Sequence, residues 1–256
     1  MISDPLFYAV ALPAIVLFGI SKGGFAGGFG ILSVPLMALV IPPTQAAAIM
    51  LPILVVMDWS AIWAYRRDWD PITMRQILPA GIGGVALGML GFQYLSSDAL
   101  KILLAIVSIG FVLYRWTRRS NDAPPAPRAR VKAAFWSALA GLSSFIAHAG
   151  GPPLNIYLLP QRLPSAQLVG TTVVFFTIIN AVKLIPYFFL GLFSTQNLRV
   201  SLLLMPAGVG GVYLGLWLRK RVSERMFYRL IYFFLVLTGC KLGWDGVYGL
   251  WHSRFS

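Results

Sequence analysis

The chain has 256 residues, of which 58% are apolar and only 11% charged, and it carries a formal net charge of +13. A mean hydropathy of +0.76 leaves most of these residues no water-facing role, so the chain reads as an all-α membrane protein and not as a soluble domain. The basic residues sit in short loops between apolar runs and not on a face interleaved with aromatics, so membrane topology accounts for them and nucleic acid is not expected as a partner.

In chain order, the first apolar run follows Asp4 with no Lys or Arg before it. It lacks the basic region of a cleavable signal peptide and is expected to be retained. Apolar runs punctuated by Gly, Pro and charge predict five segments at roughly 5–20, 25–41, 45–65, 77–95 and 99–117, then five more at 133–148, 152–160, 167–190, 200–218 and 226–246. Between them, the basic, Pro-rich stretch from Arg118 to Lys132 cannot cross a membrane. The chain therefore divides into a first membrane repeat (1–117), a cytoplasmic linker (118–132) and a second membrane repeat (133–256). The single cysteine, Cys240, lies in an apolar run, where a small buried hydrophobe is expected and no disulfide can form within the chain.

The halves share a decapeptide, Pro79-Ala80-Gly81-Ile82-Gly83-Gly84-Val85-Ala86-Leu87-Gly88 and Pro206-Ala207-Gly208-Val209-Gly210-Gly211-Val212-Tyr213-Leu214-Gly215, with eight of ten positions identical. Small residues at helical spacing predict close helix packing there. Placing most Lys and Arg on the cytoplasmic side puts the loops at 66–75, 118–132, 160–166 and 219–225 inside. The loop before the first decapeptide is then inside and the loop before the second, at Phe193-Ser194-Thr195, is outside. The halves are thus expected to form an inverted-topology repeat, as in many secondary transporters.

Each half opens on a Gly-rich run, Ser21 to Gly30 followed by Pro35, and Ala147 to Asn155 with Gly150-Gly151-Pro152-Pro153 at its centre. Such runs predict broken helices, as two full spans or a re-entrant hairpin. Freed backbone at membrane depth must face protein or a wet cavity, where exposed N–H groups and half-helix N-termini suit an anion. Gly27, Gly28, Gly150 and Gly151 are therefore candidate lining residues.

The eight acidic residues include only one, Asp58, well inside a predicted span. With only His148 and His252 as histidines, the chain offers no carboxylate pair and no metal-ligand cluster, which argues against an enzyme, a metal site or a cofactor. Four ionisable residues fall within the membrane, each costing at least ~2.5 kcal/mol on insertion scales and so pointing to a function or a partner. These are Lys22, Asp58, His148 and Lys183. Asp58 aligns with Asn180 of the other half, and the two are expected to face each other near mid-membrane. Lys183 is one turn from Asn180 on the same face, too far along the normal from Asp58 for an easy ion pair and suited to meeting an anion. Lys22 and His148 occupy related places in the two openings. Asp58 and His148 are the candidates for proton coupling. Asn155 and Thr171 are candidate neutral donors for the substrate, and Trp59, Trp63, Tyr65, Trp116, Trp244 and Trp251 read as interfacial anchors.

These residues resemble the sulfite exporter TauE/SafE family along nearly the whole chain. The likeness rests on the Gly23 to Pro35 opening, Asp58-Trp59 leading to Tyr65-Arg66-Arg67, Leu78-Pro79-Ala80-Gly81, Gly150-Gly151-Pro152, and Gly170-Thr171-Thr172 through Asn180-Ala181-Val182-Lys183. It implies a multi-pass permease of the bacterial inner membrane for a small sulfur-containing or organic anion such as sulfite, thiosulfate or sulfoacetate, coupled to an ion gradient. The partners expected are that anion and the lipid bilayer, with a homo-oligomer left open. A passive anion channel and a membrane subunit of a larger complex are the alternatives.

Overall fold

The computed structural model describes residues 4–24, 30–92, 94–117, 126–218, 221 and 224–255. Among these residues each half contributes five helices. In the first half these are α1 (Pro5–Gly24), the short α2 (Ser33–Met37) preceded by a 3-10 turn at Gly30–Leu32, α3 (Pro43–Tyr65), α4 (Pro71–Phe92) and α5 (Ser97–Thr117). The second half has α6 (Arg130–Ala147), the short α7 (Gly151–Leu158) followed by a 3-10 turn, α8 (Ser165–Phe189), α9 (Thr195–Leu218) and α10 (Glu224–Phe255). Among the described residues there is no strand, and five helices, α1, α3, α5, α8 and α9, are long and apolar enough to cross a bilayer.

Several helices begin earlier than their apolar runs, because a polar cap starts them. Asp70 Oδ2 accepts the Thr73 N–H at 3.1 Å and opens α4 at Pro71, six residues before the expected 77; Ser96 and Ser194 cap α5 and α9 in the same way through the N–H groups of Ala99 and Asn197. In the second opening, α6 ends where His148 adopts a left-handed backbone (φ 52°). The N–H groups of His148 and Ala149 fold back onto the carbonyls of Ser144 and Ser143, and α7 restarts two residues later on Gly151-Pro152-Pro153. With eight residues α7 rises only about 12 Å, under half of a ~30 Å hydrocarbon core.

The helices of one half pack on those of the other. α1 lies along α9, α4 along α6, α3 on α8 and α5 on α10, and exchanging each helix for its counterpart in the other half reproduces the same set of pairs. The shared decapeptides make close backbone contacts in two of these pairs. Gly81, Gly84 and Gly88 turn one face of α4 onto α6, where a Cβ on Gly84 would run into the Ala138 carbonyl and one on Gly141 into that of Gly81. Gly208, Gly211 and Gly215 do the same for α9, with a Cβ on Gly215 meeting the Ile20 carbonyl and one on Gly23 that of Val212. Gly83 and Gly210, on the far sides of these helices, have nothing within 4 Å of an added Cβ. The decapeptides are thus packing surfaces, as their small-residue spacing indicates.

Two expectations are corrected. Tyr65 is 2% exposed and its hydroxyl donates to the Gly23 carbonyl at 2.8 Å, so it ties α3 to the first opening instead of anchoring an interface; Trp59, Trp63, Trp116, Trp244 and Trp251 are exposed. Cys240 is exposed, because α10 is a peripheral helix that packs chiefly on α5 and turns its other faces outward.

Candidate functional site

α3 and α8 cross at the centre and run antiparallel, since Asp70, just past the end of α3, meets Thr171 in the second turn of α8. At the crossing Asn180 Nδ2 donates to Asp58 Oδ2 at 2.8 Å, and the Thr177 hydroxyl lies 3.2 Å from Asp58 Oδ1. The counter-ion of Asp58 is Lys22, from the last turn of α1, at 2.5 Å, and Lys22 also donates to the Leu54 carbonyl at 3.3 Å. Both charged residues are below 5% exposed, so the attraction acts with little solvent screening.

Lys183, on the next turn of α8 after Asn180, is fully buried and turns toward α6. Its ammonium donates to the Ser144 carbonyl at 2.9 Å and to Ser144 Oγ at 3.0 Å, and it lies 2.8 Å from His148 Nδ1. His148 Nε2 stands 2.9 Å from the Ala47 carbonyl, which can only accept, so Nε2 carries the proton and Nδ1 presents its lone pair to Lys183. Among the described residues no carboxylate contacts Lys183. The buried centre therefore holds two lysines and one carboxylate.

Between these groups is a cavity of about 20 Å³ lined by Phe18, Lys22, Leu54, Ser144, His148, Gly151, Thr172, Val173, Phe176 and Asn180. That is room for little more than one water. Six of its ten lining residues come from α6, α7 and α8, so the second opening and the central crossing supply most of the wall.

Of the residues singled out in the sequence, Lys22, Asp58, His148, Asn180, Lys183 and Gly151 converge here. Gly150 packs between Ala140, Ser144 and Phe176 behind the wall. Asn155 lies along α7 away from the cavity, its Oδ1 buried without a hydrogen-bond partner. Thr171 turns away from the cavity and accepts the Asp70 N–H at 2.9 Å, while its neighbour Thr172 faces it. Gly27 and Gly28 lie outside the described residues. The sequence reading missed Ser144 and Thr177. Both were detectable as polar residues one helical turn before a chosen one, Ser144 before His148 and Thr177 before Asn180.

Polar clasps close the bundle at the opposite ends of α3 and α8. At one end Asp70 binds Arg128 of the linker at 2.9 Å, while Tyr157 of α7 donates to Gln76 of α4 at 2.9 Å. At the other, Asn197 accepts from Gln45 Nε2 at 3.1 Å and donates to the Leu192 carbonyl at 3.1 Å, and the Ser201 hydroxyl donates to the Ile49 carbonyl at 2.8 Å. Asp70 and Asn197 hold matching places, nine residues before Pro79 and Pro206.

A helical bundle with apolar spans, glycine-sealed helix pairs and a buried ionisable centre defines a polytopic membrane protein of the transporter class. The sequence model of the family described as Sulfite exporter TauE/SafE matches residues 11–242, and the chain belongs to that family. The family is one of membrane anion transporters and not of enzymes. Neither the curated proteins nor the solved structures gave a match.

Proposed function

We propose that the protein is a secondary transporter of the bacterial inner membrane that carries a small sulfur-containing or organic anion such as sulfite, thiosulfate or sulfoacetate, coupled to a proton gradient. The observation that carries this reading is the charge imbalance beside the cavity, where Lys183, held by the wall residues Ser144 and His148, has no carboxylate among the described residues and an entering anion supplies the missing charge. The restart of α7 at Gly151, on the cavity wall, places the positive end of a half-helix there, with the Gly151 N–H as its donor, since Pro152 and Pro153 have none and the Leu154 N–H is taken by the Gly150 carbonyl. The exchange-symmetric helix pairs and the antiparallel α3 and α8 support an inverted repeat, and the short α7 supports a re-entrant opening.

In this mechanism the anion competes with Asp58 for Lys22. A proton taken up by Asp58 frees the ammonium to turn toward the substrate, so anion and proton occupy the centre together. Phe18 and Phe176 must turn aside, since the cavity at rest is too small for the substrate. The clasps at Asp70 and Asn197 serve as inner and outer closures that open in alternation. A cavity this small with both ends clasped favours a transporter over an open channel.

Lys183→Ala is expected to weaken anion binding at least tenfold, because a unit charge about 5 Å away is worth roughly 3 kcal/mol at an effective dielectric of ~20. Binding of sulfite to the purified protein, followed by calorimetry, measures it. Asp58→Asn cannot take up a proton and should make anion flux independent of an imposed pH gradient. Wild-type binding in the first variant together with wild-type pH response in the second would remove the proposed site.

A further inference from the structure

At the clasped end formed by Asp70 and Arg128, a second recess of about 450 Å³ opens between the first turns of α4 and α6. It is lined by Ile72, Arg75, Gln76, Arg130 and Ala134. Three features of it point to one ligand chemistry. Arg75 and Arg130 are exposed, and neither has an ion-pair partner among the described residues; the nearby Asp70 is already taken by Arg128. The first turn of α6 has no side-chain cap, since Ala129 stands at the N-cap position, so its leading N–H groups are left for an outside acceptor. The wall beside the two guanidiniums is apolar. Ile72 is 54% exposed and Ala134 is exposed, and the neighbouring Val131 and Phe135 are 82% and 61% exposed, an outward apolar surface suited to acyl chains.

We propose that this recess holds the headgroup of an anionic phospholipid, its phosphate between Arg75 and Arg130 and its chains along Ile72 and Ala134. A free anion would use the guanidiniums and the helix N-terminus but has no need of the apolar wall. A neutral lipid would use the wall but not the charges. Gln76 shares the recess and accepts from Tyr157 of α7, so the occupied site touches the hydrogen bond that ties α4 to the second opening. The assignment requires only that the protein be embedded in a membrane and does not rest on the transport reading.

The test is the thermal midpoint of the purified full-length protein in detergent as phosphatidylglycerol, phosphatidylcholine or inorganic phosphate is titrated in. Phosphatidylglycerol is expected to raise the midpoint more than phosphatidylcholine does, with inorganic phosphate without effect at matched concentration. Two basic contacts at about 1 kcal/mol each correspond to a roughly 30-fold preference, which the double variant R75Q/R130Q should lose. The single variants R75Q and R130Q should each lose about fivefold, and they keep the test open if the double variant does not fold. R221Q, which removes an arginine stacked on Trp217, should keep the full preference. Equal responses to the two lipids, an unchanged preference in R75Q and R130Q, or a shift reproduced by inorganic phosphate would each overturn the proposal.

Discussion

Asp58→Ala is expected to destabilise the protein by about 3–5 kcal/mol, the usual cost of removing one partner of a buried ion pair. The substitution leaves the Lys22 ammonium buried with the Leu54 carbonyl and the Phe18 ring but no counter-ion, and deprives Asn180 Nδ2 of its acceptor. Lys22→Met should cost a similar amount by stranding the carboxylate instead. The double variant Asp58→Leu with Lys22→Met replaces the pair by apolar side chains of similar size and should recover most of the loss, while abolishing transport. Thermal unfolding of the wild type, Asp58→Leu, Lys22→Met and the double variant in one detergent closes this cycle. Additive losses would mean that the two residues do not act as a pair.

The second large effect concerns the shared decapeptides. Gly84→Val drives a branched side chain into the Ala138 carbonyl, and Gly215→Val does the same to that of Ile20. Since these are backbone atoms that no rotamer change can move, each variant should lose about 3 kcal/mol or more, and α4 should separate from α6, or α9 from α1. Gly83→Ala and Gly210→Ala lie one residue before Gly84 and Gly211 but meet nothing within 4 Å, so they should leave stability unchanged or raise it by up to about 1 kcal/mol through helix propensity. Yield of folded protein in detergent and its unfolding midpoint separate the two classes. Similar losses in both would mean that the decapeptides do not pack as described.

The contrast between Gly83 and Gly84 shows what the sequence could and could not disclose. That the decapeptides pack is legible in their repetition and small residues; which of their glycines face a neighbour depends on helix rotation, which no composition gives. Segment number and order followed from apolar runs, because a bilayer imposes length and polarity together. Helix starts were misplaced where Asp70, Ser96 and Ser194 begin a helix in polar sequence, since a cap contributes a hydrogen bond and no hydropathy. Within the site, Asp58 and Asn180 were paired correctly by repeat alignment, since both lie on helices whose counterparts cross. The partner of Asp58 was not. Counting along upright helices weighed Lys183 and found it too distant, but the fold brings Lys22 in from α1 through the glycine-sealed contact with α9, a tertiary arrangement with no local signature. Lys183 was read as a cation facing the substrate; it reaches the cavity through Ser144 and His148, the two wall residues it is hydrogen-bonded to, a contact that one-dimensional counting does not give. Thr171 and Thr172 are adjacent in sequence, yet one joins the clasp at Asp70 and the other lines the cavity.

The central claim is that the cavity at Lys22, Asp58, His148 and Lys183 binds an anion and moves it against its gradient. The most direct measurement is uptake of radiolabelled sulfite, thiosulfate and sulfoacetate into liposomes containing the purified protein, with and without an imposed pH gradient and with Asp58→Asn alongside. The account predicts accumulation of at least one of these anions above its outside concentration only when the gradient is present, and none of that gradient dependence in Asp58→Asn. Equilibration without accumulation, at the same rate in both proteins, would contradict it.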